Sequence, residues 1–127
     1  GNISQVAEIA RLCGDKIDIY SGKDDQIVPI LSLGGKGVIS VLSNIMPKTT
    51  SEMCKMYMSG DTKGSLKLQL ELLPLINALF SEVNPIPVKA AVSAMGYCEN
   101  SLRLPLTVME KENEEKLLSL MKEQGLI

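Results

Sequence analysis

The chain has 127 residues, 45% hydrophobic and 22% charged, with thirteen Lys and Arg against fifteen Asp and Glu and a formal net charge of −2. That size suits one globular unit, and without a basic excess a nucleic-acid partner is not expected. No run of about 18 apolar residues offers a membrane span, and the start, GNISQVAEIARLCGD, lacks the cationic head and apolar core of a signal peptide. The reading is a cytoplasmic protein with no membrane partner.

The absence of histidine excludes Ser-His and Cys-His nucleophile pairs and any imidazole zinc site. Cys13, Cys54 and Cys98 are odd in number and widely spaced, which points to free thiols packed in apolar surroundings rather than to disulfides or a metal. The chain opens on Gly1 without an initiator Met, so a piece of a longer or processed chain is expected.

Residues 2–13 place Ile3, Val6, Ala7, Ala10 and Cys13 at helical spacing, with Asn2 or Ser4 as N-cap and Gly14 as the stop. Residues 17–20 read as a short strand closed by Ser21 and Gly22. Asp24 and Asp25 stand where the next helix, QIVPILSL, wants acceptors at its start, and Gly34-Gly35 ends it. Residues 37–42 form a second strand, apolar enough for burial on both faces, as in a parallel sheet. From residue 49 the pattern turns helical. TTSEMCKMYM carries Met53, Met56 and Tyr57 on one face, with a break at Gly60. A long helix then spans residues 61–80, with Leu66, Leu70, Leu73 and Asn77 on one stripe and a kink expected at Pro74. Residues 84–87 read as an extended connector, residues 87–96 as a helix and residues 102–106 as extended. Residues 110–124 complete the chain as a charged helix stopped by Gly125.

Two strands cannot close a core, because their edges and outer faces need elements that this sequence does not contain. The pattern therefore implies part of a larger α/β protein, or self-association that covers those edges.

Several motifs invite chemistry and do not support it. The glycines of LGGKGV close a helix and open a strand, the reverse of a dinucleotide fingerprint. GDTKGS lacks the order of a phosphate loop, and Asp61 there reads as a helix cap. Glu110, Glu112, Glu114 and Glu115 interleave with Lys111 and Lys116, including Glu112 and Lys116 at i, i+4, which marks a solvated face. In a parallel α/β protein function gathers at the C-terminal strand ends. Those positions are Ser21, Gly22, Lys23 and Asp24 on the first strand and Ile39, Ser40, Val41 and Ser43 on the second. Lys23, beside Asp24 and Asp25, reads as a charged loop residue rather than a Schiff-base nucleophile.

SGKDDQIVPILSLGGKGVISV, NPIPVKAAVSAMG and LRLPL, in this order and spacing, resemble the C-terminal part of the dihydrodipicolinate synthases. These are pyruvate-dependent class I lyases of the N-acetylneuraminate lyase superfamily, and the likeness covers nearly the whole chain. It implies an α/β fold, a C-terminal fragment of a TIM (β/α)8 barrel plus a C-terminal helical domain, mostly α by content. Residues 1–58 would supply the last two barrel strands with their helices, and residues 59–127 the helical domain. The implied reaction condenses pyruvate with aspartate semialdehyde in lysine biosynthesis through a lysine Schiff base, in a homo-oligomer that needs no cofactor and no metal.

The family's Schiff-base lysine, its tyrosine and threonine proton relay and its carboxylate-binding arginine align before Gly1. The resemblance thus implies no catalytic residue in this chain and none at Tyr20, Tyr57, Tyr97 or Arg103. It makes Ile39 the strand-eight isoleucine whose backbone carbonyl faces the pyruvate imine, and Gly22 the glycine lining the pyruvate pocket. Asn84 matches the asparagine of the family's Asn-Pro-Ile-Pro motif, with a supporting role in the connector. Lys23 departs from the family pattern, which often has Asp there. The expectation is a chain inactive alone. The alternatives are a non-catalytic self-associating fragment and part of another pyruvate-dependent class I lyase.

Overall fold

The computed structural model describes residues 1–127. Six helices carry most of the chain, α1 (Ile3–Cys13), α2 (Ile27–Ser32), α3 (Pro47–Met58), α4 (Thr62–Leu79), α5 (Ile86–Ala94) and α6 (Lys111–Glu123). Strands β1 (Tyr20–Ser21) and β2 (Gly37–Val38) flank α2, and short 3-10 turns span Gly14–Lys16, Asp24–Gln26 and Leu42–Asn44.

The helix ends follow their local chemistry. Asn2, not Ser4, caps α1, its side chain accepting from the Gln5 N–H at 3.2 Å. Asp61 caps α4 by accepting from the Gly64 N–H at 2.9 Å. Pro47 opens α3, two residues before the expected start, where its missing N–H costs nothing. Gly34 ends α2 with φ of 89°, a conformation open to glycine without strain. Helix α4 continues through Pro74 without interruption.

The strands pair in parallel, Tyr20 beside Gly37 and Ser21 beside Val38. Two further bonds extend the ladder, Lys36 N–H to Ile19 O and Ile39 N–H to Ser21 O, each 2.8 Å. The second strand is much shorter than the expected residues 37–42 and is not buried on both faces, since Ile39 is 74% exposed. It has a neighbour on one edge only, and Val41 already bends into the turn at Leu42–Asn44. The connector at residues 84–87 is a turn leading directly into α5 rather than extended chain, with Ile86 N–H bonded to Val83 O at 2.8 Å. Residues 102–106 also turn, at Leu104 and Pro105.

One core of 18 buried residues joins α2, the Leu42–Asn44 turn and α3 to α6. Ile27, Leu42, Met53, Leu79, Leu117 and Met121 are completely inaccessible, each stabilising the fold by about 1.5–3 kcal/mol through apolar burial. On α4 the inward face is Ser65, Gln69, Leu72, Ile76 and Leu79. The stripe of Leu66, Leu70, Leu73 and Asn77 is therefore not the core face, and Leu66 and Leu70 are exposed. Helix α4 is apolar around most of its circumference, and the buried Ser65 and Gln69 satisfy polar needs there: Ser65 Oγ donates to Met53 O at 2.8 Å. Among the thiols, Cys13 and Cys54 are half-buried, but Cys98 lies exposed in the loop after α5, against the expectation of apolar packing.

Candidate functional site

The parallel pairing brings the C-terminal ends of the two strands side by side. The bond from Ile39 N–H to Ser21 O sets Ile39 next to the residue preceding Gly22. Neither the Gly22 N–H nor the Ile39 carbonyl is engaged in a hydrogen bond within the chain. A Cβ placed on Gly22 meets nothing within 4 Å, and its φ lies outside the glycine-favouring region. Glycine is thus not required here by the chain itself. Its absent side chain matters for whatever approaches from the open side.

Each strand end is stiffened by its own side chains. Ser21 Oγ donates to Lys23 O at 2.7 Å and accepts from Lys23 N–H at 3.1 Å, bridging across Gly22. Ser40 Oγ accepts from Ser43 N–H at 2.8 Å, and Ser43 Oγ donates to Ser40 O at 2.8 Å. Lys23 is half in solvent, its ammonium 3.6 Å from the Asp25 carboxylate. That is the charged loop residue expected and not the dry environment that activates an amine nucleophile.

Asp24 differs from expectation. It does not cap α2. Its carboxylate, 1% exposed, accepts at Oδ2 from the N–H groups of Val41 at 2.9 Å and Leu42 at 3.0 Å, so it ties the loop after β1 to the segment after β2. Gln69 on α4 is equally buried and donates to Asp24 O at 2.8 Å while accepting from Val28 N–H at 3.2 Å. Local spacing carries no signal for this pair, whose partners lie 17 to 45 residues apart.

None of the surface cavities includes Gly22 or Ile39. The depression between the strand pair and α3, about 370 Å³, is lined among others by Tyr20, Val38, Ser40 and Cys54. Asn84 is exposed in the turn before α5 and its side chain makes no hydrogen bond, while α5 itself packs on the turn at Leu42–Asn44. The acidic run on α6 pairs as Lys111 with Glu115 at 3.8 Å rather than as Glu112 with Lys116. No helix is long and apolar enough to cross a membrane.

Residues 1–124 match the model of the dihydrodipicolinate synthetase family, and the chain belongs to that family. It is 60% identical over 126 residues to the 4-hydroxy-tetrahydrodipicolinate synthase of Lachnoclostridium phytofermentans, covering 99% of this chain and 43% of that protein. It is 57% identical over 127 residues to the synthase of Alkaliphilus oremlandii, covering 44% of that protein. The crystal structure of dihydrodipicolinate synthase from Thermotoga maritima superposes with a TM-score of 0.94 at 42% identity over 99% of this chain and 44% of its own. The chain thus spans less than half the length of the synthases it matches.

Proposed function

We propose that this chain is the C-terminal part of a 4-hydroxy-tetrahydrodipicolinate synthase, contributing two strands of a (β/α)8 barrel in residues 1–58 and a helical domain in residues 59–127. The observation that carries this is the pair of unengaged main-chain groups, the Gly22 N–H and the Ile39 carbonyl, on adjacent parallel strand ends in a chain of this family. In the reaction proposed for the whole protein, a lysine amine attacks the pyruvate ketone and loses water to give an imine. Loss of a methyl proton then gives an enamine, whose carbon attacks the aldehyde of aspartate semialdehyde. Gly22 and Ile39 supply shape and main-chain polarity to the pyruvate side of that pocket, and Asn84 supports the connector. The nucleophile lies outside these residues, and the chain alone is inactive. Membership of the family is what supports reading the whole protein as a cytoplasmic homo-oligomer that uses no cofactor.

Intact mass after incubation with pyruvate and borohydride tests this, because reduction traps the imine. An adduct on the whole protein and none on the 127-residue chain is expected. A stoichiometric adduct on this chain, at Lys23 or Lys89, would overturn the assignment of the nucleophile. Cleavage of sialic acid by the whole protein would overturn the substrate.

A second reading, a self-associating fragment without catalysis, is favoured by the exposed apolar residues of the strand layer, Ile17, Tyr20 and Ile39. Sedimentation of the chain alone distinguishes a monomer from an associated form. Activity restored by mixing with the remainder of the barrel argues against this reading.

A further inference from the structure

We propose that Asp24, held in place by Gln69, is a positioning residue for the pyruvate side of the site, fixing the peptide plane that carries the Ile39 carbonyl. This rests on the function proposed above. The Ile39 N–H is pinned to Ser21 O at 2.8 Å, and two residues later the Val41 N–H is pinned to Asp24 Oδ2 at 2.9 Å. A trans peptide leaves only two soft dihedrals per residue, so a segment fixed at both ends has little freedom to rotate the carbonyl between them. The Leu42 N–H adds a second bond to the same oxygen at 3.0 Å. These amides open the turn at Leu42–Asn44, where a carboxylate acceptor binds N–H groups more strongly than a neutral one.

The clamp acts on Gly22 as well, which lies two residues before Asp24 with the Ser21 hydroxyl bridging to Lys23 on the way. Both unengaged main-chain groups therefore stand on loops that one buried side chain joins. Gln69 extends the device outward. Its amide holds the Asp24 carbonyl at 2.8 Å and the Val28 N–H at 3.2 Å, so α4, from the helical half, braces a loop of the strand layer. Asp24 Oδ1 is buried without a partner. Orienting the side chain through Oδ2 alone leaves its angle dependent on this bracing.

The test uses the whole synthase and three variants. Asp24→Asn keeps an oxygen in the shape of the carboxylate, Asp24→Ala removes the acceptor, and Gln69→Leu removes the brace. The Michaelis constant for pyruvate is expected to rise about tenfold in Asp24→Ala and about threefold in Asp24→Asn and Gln69→Leu, while that for aspartate semialdehyde stays within about twofold. A merely structural role lowers the folded fraction and hence the apparent turnover, leaving both constants unchanged. An unchanged pyruvate constant in the folded variants would overturn the proposal.

Amide hydrogen exchange of Val41 and Leu42 in the unaltered enzyme needs no variant to fold. Slow exchange is expected and rapid exchange rules the clamp out. An unaltered enzyme that traps no pyruvate imine would instead sink the proposed function, a result separable from the exchange readout.

Discussion

Helices α1 and α6 are both amphipathic and of similar length, yet α1 buries none of its eleven residues and α6 buries Leu117 and Met121 completely. The difference is not in their periodicity. Helix α6 packs against α4 and α5, whereas the main contacts of α1 are with α2 and with its own following turn at Gly14–Lys16. The same contrast extends in part to the layers they belong to. The strand layer leaves Leu12, Ile17, Tyr20 and Ile39 open, while the helical layer closes around Leu75, Ile76, Leu79 and Leu117 and exposes Leu66 and Leu70 only on its outer face. An apolar stripe specifies a helix and a face, but a partner must come from elsewhere in the fold.

That contrast can be broken most directly by truncating both sides. Leu79→Ala removes a fully buried side chain and is expected to lower the unfolding free energy by about 3 kcal/mol in urea titration. Ile9→Ala, on a helix with no buried residue, should change it by less than about 0.5 kcal/mol. Comparable losses at the two sites would mean that α1 is packed in solution, and the distinction between the layers would collapse. The junction of the layers gives a middle value. A Cβ at Gly35 would stand 2.6 Å from Ile30 Cγ2 and 2.7 Å from Ile30 O. Because the carbonyl is fixed in α2, Gly35→Ala is expected to cost about 1–3 kcal/mol.

Capping sharpens the same point. Asp61 and Asn2 make the same kind of bond, 2.9 Å to Gly64 N–H and 3.2 Å to Gln5 N–H. Asp61→Ala should lower global stability by about 1 kcal/mol, since α4 unfolds with the core. Asn2→Ala should leave the global midpoint unchanged and speed amide exchange in α1 only. A shifted midpoint for Asn2→Ala would show that α1 belongs to the cooperative unit.

Local rules made the helices legible. Caps at Asn2 and Asp61 and the stops at Gly14, Gly34, Gly96 and Gly125, all with positive φ, put most boundaries within two residues. The parallel pairing was also implied by β-branched runs with a helix between them. What escaped was decided by distant partners. On α4 several stripes are apolar, and the buried one contains Ser65 and Gln69, whose polarity hides it until their acceptors at Met53 and Asp24 are known. Asp24 has the address of a helix cap and is drawn instead to amides 17 and 18 residues on, which also cuts β2 short. Residue spacing alone reads the site only as strand ends; the family resemblance singles out Gly22 and Ile39, and the register of β1 and β2 is what sets their strand ends side by side.

The thiols report the contrast without altering the fold. Burial pushes the Cys54 thiol above its ordinary value, so less of it is thiolate near pH 8. Cys98 is exposed in the loop after α5. Alkylation should modify Cys98 first and Cys54 last, with Cys54 accelerating as pH rises further, and mass spectrometry of partly reacted protein gives the order. Early reaction at Cys54 would mean that the α3 layer opens more readily than its packing indicates.

The smallest effect belongs to α1. The hydrogen bonds from Arg11 hold the Glu8 carboxyl below its usual range, in a fully exposed pair. A carboxyl depressed in the folded state contributes above its unfolded value and loses that contribution as pH falls through the lowered one. Helix α1 should therefore fray at acid pH before the rest of the chain responds, and Glu8→Gln should remove that pH dependence from the α1 amides. Solvent and salt screen an exposed pair, so the midpoint of global unfolding should be unaffected. A midpoint that followed Glu8 would again place α1 inside the core's cooperative unit, on grounds of charge rather than packing.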